Sequence, residues 1–129
     1  MTTEKHSFDT LCGTISQLRG KNGCPWDQKQ TPQTLKKYLL EEMEELIEAI
    51  ANNNEKQICE EAGDTIFLLI LLSHIQAEKG NFTISDVLDG INKKMIRRHP
   101  HVFENVIINN EVALRKQWEK IKLQEKAEK

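Results

Sequence analysis

The chain has 129 residues, with 18 lysines and arginines against 20 acids and a formal net charge of −2. That length supports one domain, 1–129 with a core over about 8–122, and 38% hydrophobic with 29% charged residues excludes a disordered chain. Near-neutrality, with an isoelectric point near 6.1, excludes a strongly basic protein that coats nucleic acid.

Three widely spaced cysteines, Cys12, Cys24 and Cys59, form no CxxC pair, so no zinc ribbon or redox pair is indicated. The start, Met-Thr-Thr-Glu-Lys-His, lacks the apolar stretch of a signal peptide. The longest apolar run, Ile66 to Leu72, is seven residues, against ~20 for a bilayer span. These features lead to the expectation of a reduced, cytoplasmic protein with no membrane partner.

Five helical segments and no strand pair are expected. Ser7 to Leu18 carries Phe8, Leu11, Ile15 and Leu18 at spacings of three and four, an amphipathic helix. Residues 19–33, with Gly20, Gly23, Pro25 and Pro32, read as a loop. From Thr34 to Ala51, Leu35, Leu39, Met43, Leu46 and Ile50 form one stripe, and the asparagines at 52–54 end the helix. The segment from Glu55 to Lys79 reads as a helix because it is long, lacks an internal turn signal and is rich in leucine. Its seven-residue apolar run covers every side of a helix, which implies a central position or a second subunit packed against it. Gly80 suits the C′ position. Thr83 or Ser85 then caps a helix that runs to about Arg98 and stops at Pro100, and a charged helix follows from Asn110 to Lys126. The fold class is therefore all-α, an antiparallel bundle of about four to five helices.

Charge is segregated along this pattern. Residues 41–64 hold nine acids (Glu41, Glu42, Glu44, Glu45, Glu48, Glu55, Glu60, Glu61 and Asp64) and one base, Lys56. Glu42 and Glu45 fall on one side of their helix at the border of the apolar stripe, and Glu61 and Asp64 repeat that spacing on the next. The asparagine turn makes the two helices an antiparallel hairpin, which brings the pairs to similar heights. A Glu-rich solvated face accounts for the charge as well as a cation site does. If a cation is held, carboxylates select Mg²⁺, Ca²⁺ or Mn²⁺ over zinc. A ferritin-like di-iron centre fails, because no histidine has a glutamate three residues before it.

Residues 92–101 hold Lys93, Lys94, Arg97 and Arg98 and no acid. Lys94, Arg97 and Arg98 can present donors to phosphate oxygens, or simply suit a helix C-terminus. Trp26, in a loop, either stacks on a base or fills a gap in a small core, and for Trp118 core packing is favoured. An acidic cation site with a basic segment suits a polyphosphate substrate. The absence of a GxxxxGK[ST] pattern excludes a P-loop enzyme.

Three blocks resemble the MazG family of all-α nucleoside triphosphate pyrophosphohydrolases. They are GCPWDQKQT (23–31), EExxE at Glu41, Glu42 and Glu45 followed by ExxD at Glu61 and Asp64, and RRHPHVF (97–103); WEKIK (118–122) adds to the match. The resemblance implies Mg²⁺-dependent cleavage between the α and β phosphates, with Mn²⁺ as a substitute, broad nucleotide tolerance and a house-cleaning role. By motif position, Glu42, Glu45, Glu61 and Asp64 would hold the metal. Glu41 would support that set or deprotonate the attacking water. Lys94, Arg97 and Arg98 would contact the triphosphate, and Trp26, Asp27 and Lys29 the nucleotide. The resemblance also implies a homodimer, extendable to a dimer of dimers, which the Ile66–Leu72 run suits. A narrower dUTPase-like or dCTPase-like hydrolase, or a non-catalytic helical module binding nucleotide or protein, are the alternatives.

Overall fold

In the computed structural model, residues 3–128 are described, and among them seven helices and no strand occur. Five are long: α1 (Glu4–Arg19), α3 (Pro32–Ala51), α4 (Glu55–Glu78), α5 (Ile84–Arg98) and α7 (Glu111–Ala127). Two are single turns, α2 (Pro25–Gln28) and α6 (Pro100–Phe103). The chain divides into two compact units, Met1–Ile84 and Ser85–Lys129.

The segment 19–33, expected as a loop, instead contains α2 and the start of α3. In both helices a proline occupies the first turn, where its missing N–H costs nothing. Thr31 caps α3 reciprocally: its hydroxyl accepts from the Thr34 N–H, and the Thr34 hydroxyl accepts from the Thr31 N–H. Gly23 is required by close approach, since a Cβ there would lie 2.1 Å from the Leu18 carbonyl oxygen. Pro100 likewise begins α6 rather than only ending α5. Helix α5 starts at Ile84, which leaves Thr83 at the capping position and Ser85 inside the helix.

The α3–α4 turn makes the hairpin of the first unit. Asn53 adopts a left-handed φ of 52°, and its N–H and that of Asn54 donate to the carbonyls of Ile50 and Ala49. The Asn54 side chain then accepts from the Gln57 N–H and caps α4. One residue thus closes one helix and opens the next, which permits a short antiparallel connection. Gly80, with φ 75°, closes α4 in the same manner.

The core of this unit joins Ile15 of α1, Leu35 of α3, and Leu68, Ile70, Leu71 and Ile75 of α4. Phe8, Leu11, Trp26, Tyr38 and Ile84 pack around it. The apolar run is not buried on all sides within the chain: Ile66 is 50% and Leu69 48% exposed. Leu40, Met43, Ile47 and Ile50, at spacings of three and four, leave α3 with a matching exposed apolar stripe. Among the described residues of the second unit no residue is buried, and Arg97 and Arg98 form ion pairs with Glu125.

Arg19 fastens α2 to the end of α4. Its Nη1 donates to the carbonyls of Asp27 (2.7 Å), Gln28 (3.0 Å) and Gln30 (2.9 Å), while Nε and Nη2 pair with Glu78. The guanidinium bonds hold the Glu78 carboxyl below the usual range, and His74 Nε2 lies 3.3 Å from the same carboxylate. Arg19→Ala leaves three carbonyls and a carboxylate without this donor, so it is expected to cost about 2–4 kcal/mol in urea unfolding. Arg19→Lys, lacking the planar fork, should recover less than half of that loss.

Candidate functional site

The acidic site is built on the α3–α4 hairpin. Glu42 and Glu45 project from α3 and Glu61 from α4, and one carboxylate oxygen from each lies within 4.8 Å of the other two. Glu61 is buried, Glu42 half-buried and Glu45 exposed, so the cluster opens outward from the helix contact. Glu42 Oε2 and Glu61 Oε2 are buried with no hydrogen-bond partner. An orphaned buried carboxylate oxygen is costly, and two within one acidic cluster are atoms that a cation could satisfy.

The electrostatics agree. Burial pushes the Glu61 carboxyl up to about 7, assisted by the neighbouring Glu45 and Glu42 carboxyls and by the charges of Glu45 and Asp64. Burial also raises Glu42, followed by the charges of Glu45 and Asp64. Asp64 is therefore felt by the cluster, although it is exposed and its oxygens lie outside the three-carboxylate group. Glu41 is exposed on α3, next to the cluster in sequence but not part of it. Donors that are all carboxylate oxygens fit a hard divalent cation, and the orphaned atoms give it a place.

The basic and aromatic candidates divide between the units. Trp26 is half-buried, meets Tyr38 edge-on (5.2 Å between ring centres, 72°) and packs on the core. Asp27 is buried, with Oδ1 lacking a partner, while Lys29 is exposed. Lys29 lines a cleft of about 450 Å³ together with Trp26, Thr34, Lys36, Lys37 and Tyr38. In the second unit, Lys94, Arg97 and Arg98 line a separate cleft of about 410 Å³ with Lys122 and Lys126. Two of its cations are already engaged, because Glu125 accepts from Arg97 Nε (2.6 Å) and Arg98 Nη2 (2.8 Å). Those bonds, Arg98 first, hold the Glu125 carboxyl at about 2.

Sequence reasoning missed Glu125 as the counterion, since nothing local links it to arginines 27 and 28 residues away. It also missed Lys36, Lys37 and Tyr38. For Tyr38 a signal was present: Thr34, Tyr38, Glu42 and Glu45 follow one another at four, four and three residues, a single line along α3.

Comparison with known proteins places this arrangement. Residues 30–103 match the MazG nucleotide pyrophosphohydrolase domain. The chain belongs to the MazG family. It is 46% identical over 122 residues to the nucleoside triphosphate pyrophosphohydrolase/pyrophosphatase MazG of Thermotoga maritima, covering 95% of this chain and 46% of that protein. It is 37% identical over 125 residues to the nucleoside triphosphate pyrophosphohydrolase of Escherichia coli, covering 96% and 48%. An uncharacterized Bacillus subtilis protein, YabN, is 48% identical over 121 residues, covering 94% of this chain and 25% of its own length. The chain thus spans half or less of the length of these curated relatives. The crystal structure of a MazG-related protein from Thermotoga maritima superposes with a TM-score of 0.73 at 29% identity, covering 88% of this chain and 97% of that one. The all-α class is therefore that of a MazG-like fold.

The raised Glu61 carboxyl fixes the sign of a pH effect for this MazG domain. Between about 4.5 and about 7 the folded protein keeps a proton that the unfolded chain has released, so this group's contribution to stability falls as pH rises. In EDTA, the protein is expected to melt lower at pH 8 than at pH 5, and Glu61→Gln should flatten that slope. Equal slopes for the two proteins would contradict the assignment.

Proposed function

We propose that the chain is a divalent-metal-dependent nucleoside triphosphate pyrophosphohydrolase. It cleaves between the α and β phosphates, gives a nucleoside monophosphate and pyrophosphate, and accepts a broad range of ribo- and deoxyribonucleotides in a house-cleaning role. The observation that carries this reading is the convergence of Glu42, Glu45 and Glu61, with two orphaned buried oxygens, inside a MazG domain. The matched region, 30–103, crosses the boundary between the two compact units, which supports reading the whole chain as one functional domain.

Glu42, Glu45, Glu61 and Asp64 would hold Mg²⁺, with Mn²⁺ as a substitute. When bound, the cation neutralises phosphate oxygens and polarises the phosphorus under attack. Glu41, exposed and free of the cluster, orients a water and takes its proton. On the strength of the RRHPHVF block, Lys94, Arg97 and Arg98 contact phosphate oxygens, and Trp26, Asp27 and Lys29 contribute to nucleotide binding. No helix among the described residues is long and apolar enough to cross a membrane. A cytoplasmic location, where nucleotides are abundant, is proposed from the likeness to nucleoside triphosphate pyrophosphohydrolases.

We also propose a homodimer built on the α3–α4 hairpin. Leu40, Met43, Ile47 and Ile50 of α3 and Ile66 and Leu69 of α4 expose a large apolar surface, the kind that a second copy covers. A dimer of dimers is the natural extension. Ile66→Glu together with Ile47→Glu is expected to halve the sedimenting mass, and an unchanged mass would rule out this face.

Turnover of a nucleotide panel with Mg²⁺ tests the activity. Pyrophosphate is the expected product, and release of orthophosphate, or no turnover, would overturn the reading. Glu42→Gln and Asp64→Asn are expected to lower kcat at least a hundredfold while circular dichroism remains helical. Mg²⁺ should stabilise the wild type by about 2.7 kcal/mol at a hundredfold excess over Kd. A melting temperature indifferent to Mg²⁺ would favour a non-catalytic binding module.

A further inference from the structure

We infer that the cleft between α2 and the first turns of α3 is a diphosphate site, in which Lys29, Lys36 and Lys37 hold the pyrophosphate end of the substrate and then the released pyrophosphate. The inference rests on the pyrophosphohydrolase reading and assigns the leaving group to residues of the first unit.

Its first support is charge. The cleft of about 450 Å³ is lined by three lysines, two aromatic rings and uncharged polar side chains, with no carboxylate. Among the described residues none of the three lysines takes part in an ion pair. In the second unit, by contrast, Glu125 already pairs with Arg97 and Arg98. Three cations lining one cleft without a counterion make a positive potential there, and lysines act as point charges toward phosphate.

Its second support is position. Tyr38 lies one helical turn before Glu42 on the same line of α3, and Lys37 is about 7.5 Å before Glu42 along the axis at 1.5 Å per residue. A diphosphate with one end beside the carboxylate cluster has the length to reach that height. Through Tyr38 the cleft begins one helical turn before Glu42 on the same line of α3, toward the helix N-terminus.

Its third support is the state of the rings. Lys37 Nζ lies 4.9 Å from the centre of the Tyr38 ring, and Trp26 meets Tyr38 edge-on while packing against the core. Both rings are engaged by the protein, so the cleft offers ammonium groups rather than a free face for stacking a base. The Lys37–Tyr38 contact also aims the ammonium group and lowers the entropy lost when it meets a phosphate.

The test is calorimetric titration of inorganic pyrophosphate into the Mg²⁺-loaded full chain, with nucleotide turnover measured in parallel. The wild type is expected to bind pyrophosphate. Lys36→Ala with Lys37→Ala, both exposed and compatible with folding, should weaken binding at least tenfold, and adding Lys29→Ala should weaken it further. Lys36→Arg with Lys37→Arg should keep most of the wild-type affinity. The same variants should raise KM for nucleotide and the pyrophosphate inhibition constant together, with circular dichroism unchanged. No binding by the wild type, or equal affinity in the alanine variants, overturns the site. Turnover with unchanged pyrophosphate affinity would sink the diphosphate site and leave the pyrophosphohydrolase reading standing. Lysine-dependent pyrophosphate binding without nucleotide turnover would sink that reading and leave the site standing.

Discussion

The structure turns on the burial of like charges where α3 meets α4. Glu61 is buried at that contact, Glu42 is half-buried, and each keeps a carboxylate oxygen with no partner. Helix packing alone gains nothing from such an arrangement, since an apolar side chain of similar size would fill the same space without desolvating a charge. The cost appears as a proton retained on Glu61 up to about pH 7. A bound cation would remove it while leaving the carboxylates ionised, and would couple the hairpin's stability to that ligand.

The remaining elements hold that hairpin in place. The asparagine turn at 52–54 closes α3 and caps α4 without added residues, which keeps Glu42 and Glu61 at one height. Ile15, Leu35 and Leu71 pack the pair against α1. Arg19 binds three carbonyls of α2 and the following turn and anchors them to Glu78, so the lysine-lined cleft has a fixed wall. The hairpin thus has a packed side, an acidic edge and an apolar face open in the single chain. The first packs on the core; the other two are where the proposed cation and second copy would bind.

Net charge conceals this organisation. The overall value of −2 sums an acidic hairpin with positive stretches elsewhere, and the stretches behave differently. On α5, Arg97 and Arg98 are paired with Glu125 from the far end of the chain. On α3, Lys36 and Lys37 are not, although they attract less notice in a sequence because the nine acids that follow dominate the segment. A cation's pairing state, rather than its presence, separates a potential anion site from a structural tie.

The sequence by itself determined the all-α class, the five long helices within a few residues of their ends, and the carboxylate pairs, because helical periodicity and caps act over three to four residues. It also placed Glu42 and Glu61 at one height, since the short turn after Ala51 leaves an antiparallel hairpin no other register. The single turns at Pro25 and Pro100 were misjudged, because proline ends one helix and starts another with the same local signal. Tertiary structure alone decided which acids meet: Glu42, Glu45 and Glu61 converge while Asp64 remains at the rim, a matter of helix rotation that periodicity leaves open by tens of degrees. It likewise decided that Ile66 and Leu69 face outward and that Glu125 claims Arg97 and Arg98. Burial and long-range ion pairing depend on what lies across the contact, and no stretch of a few residues carries that information.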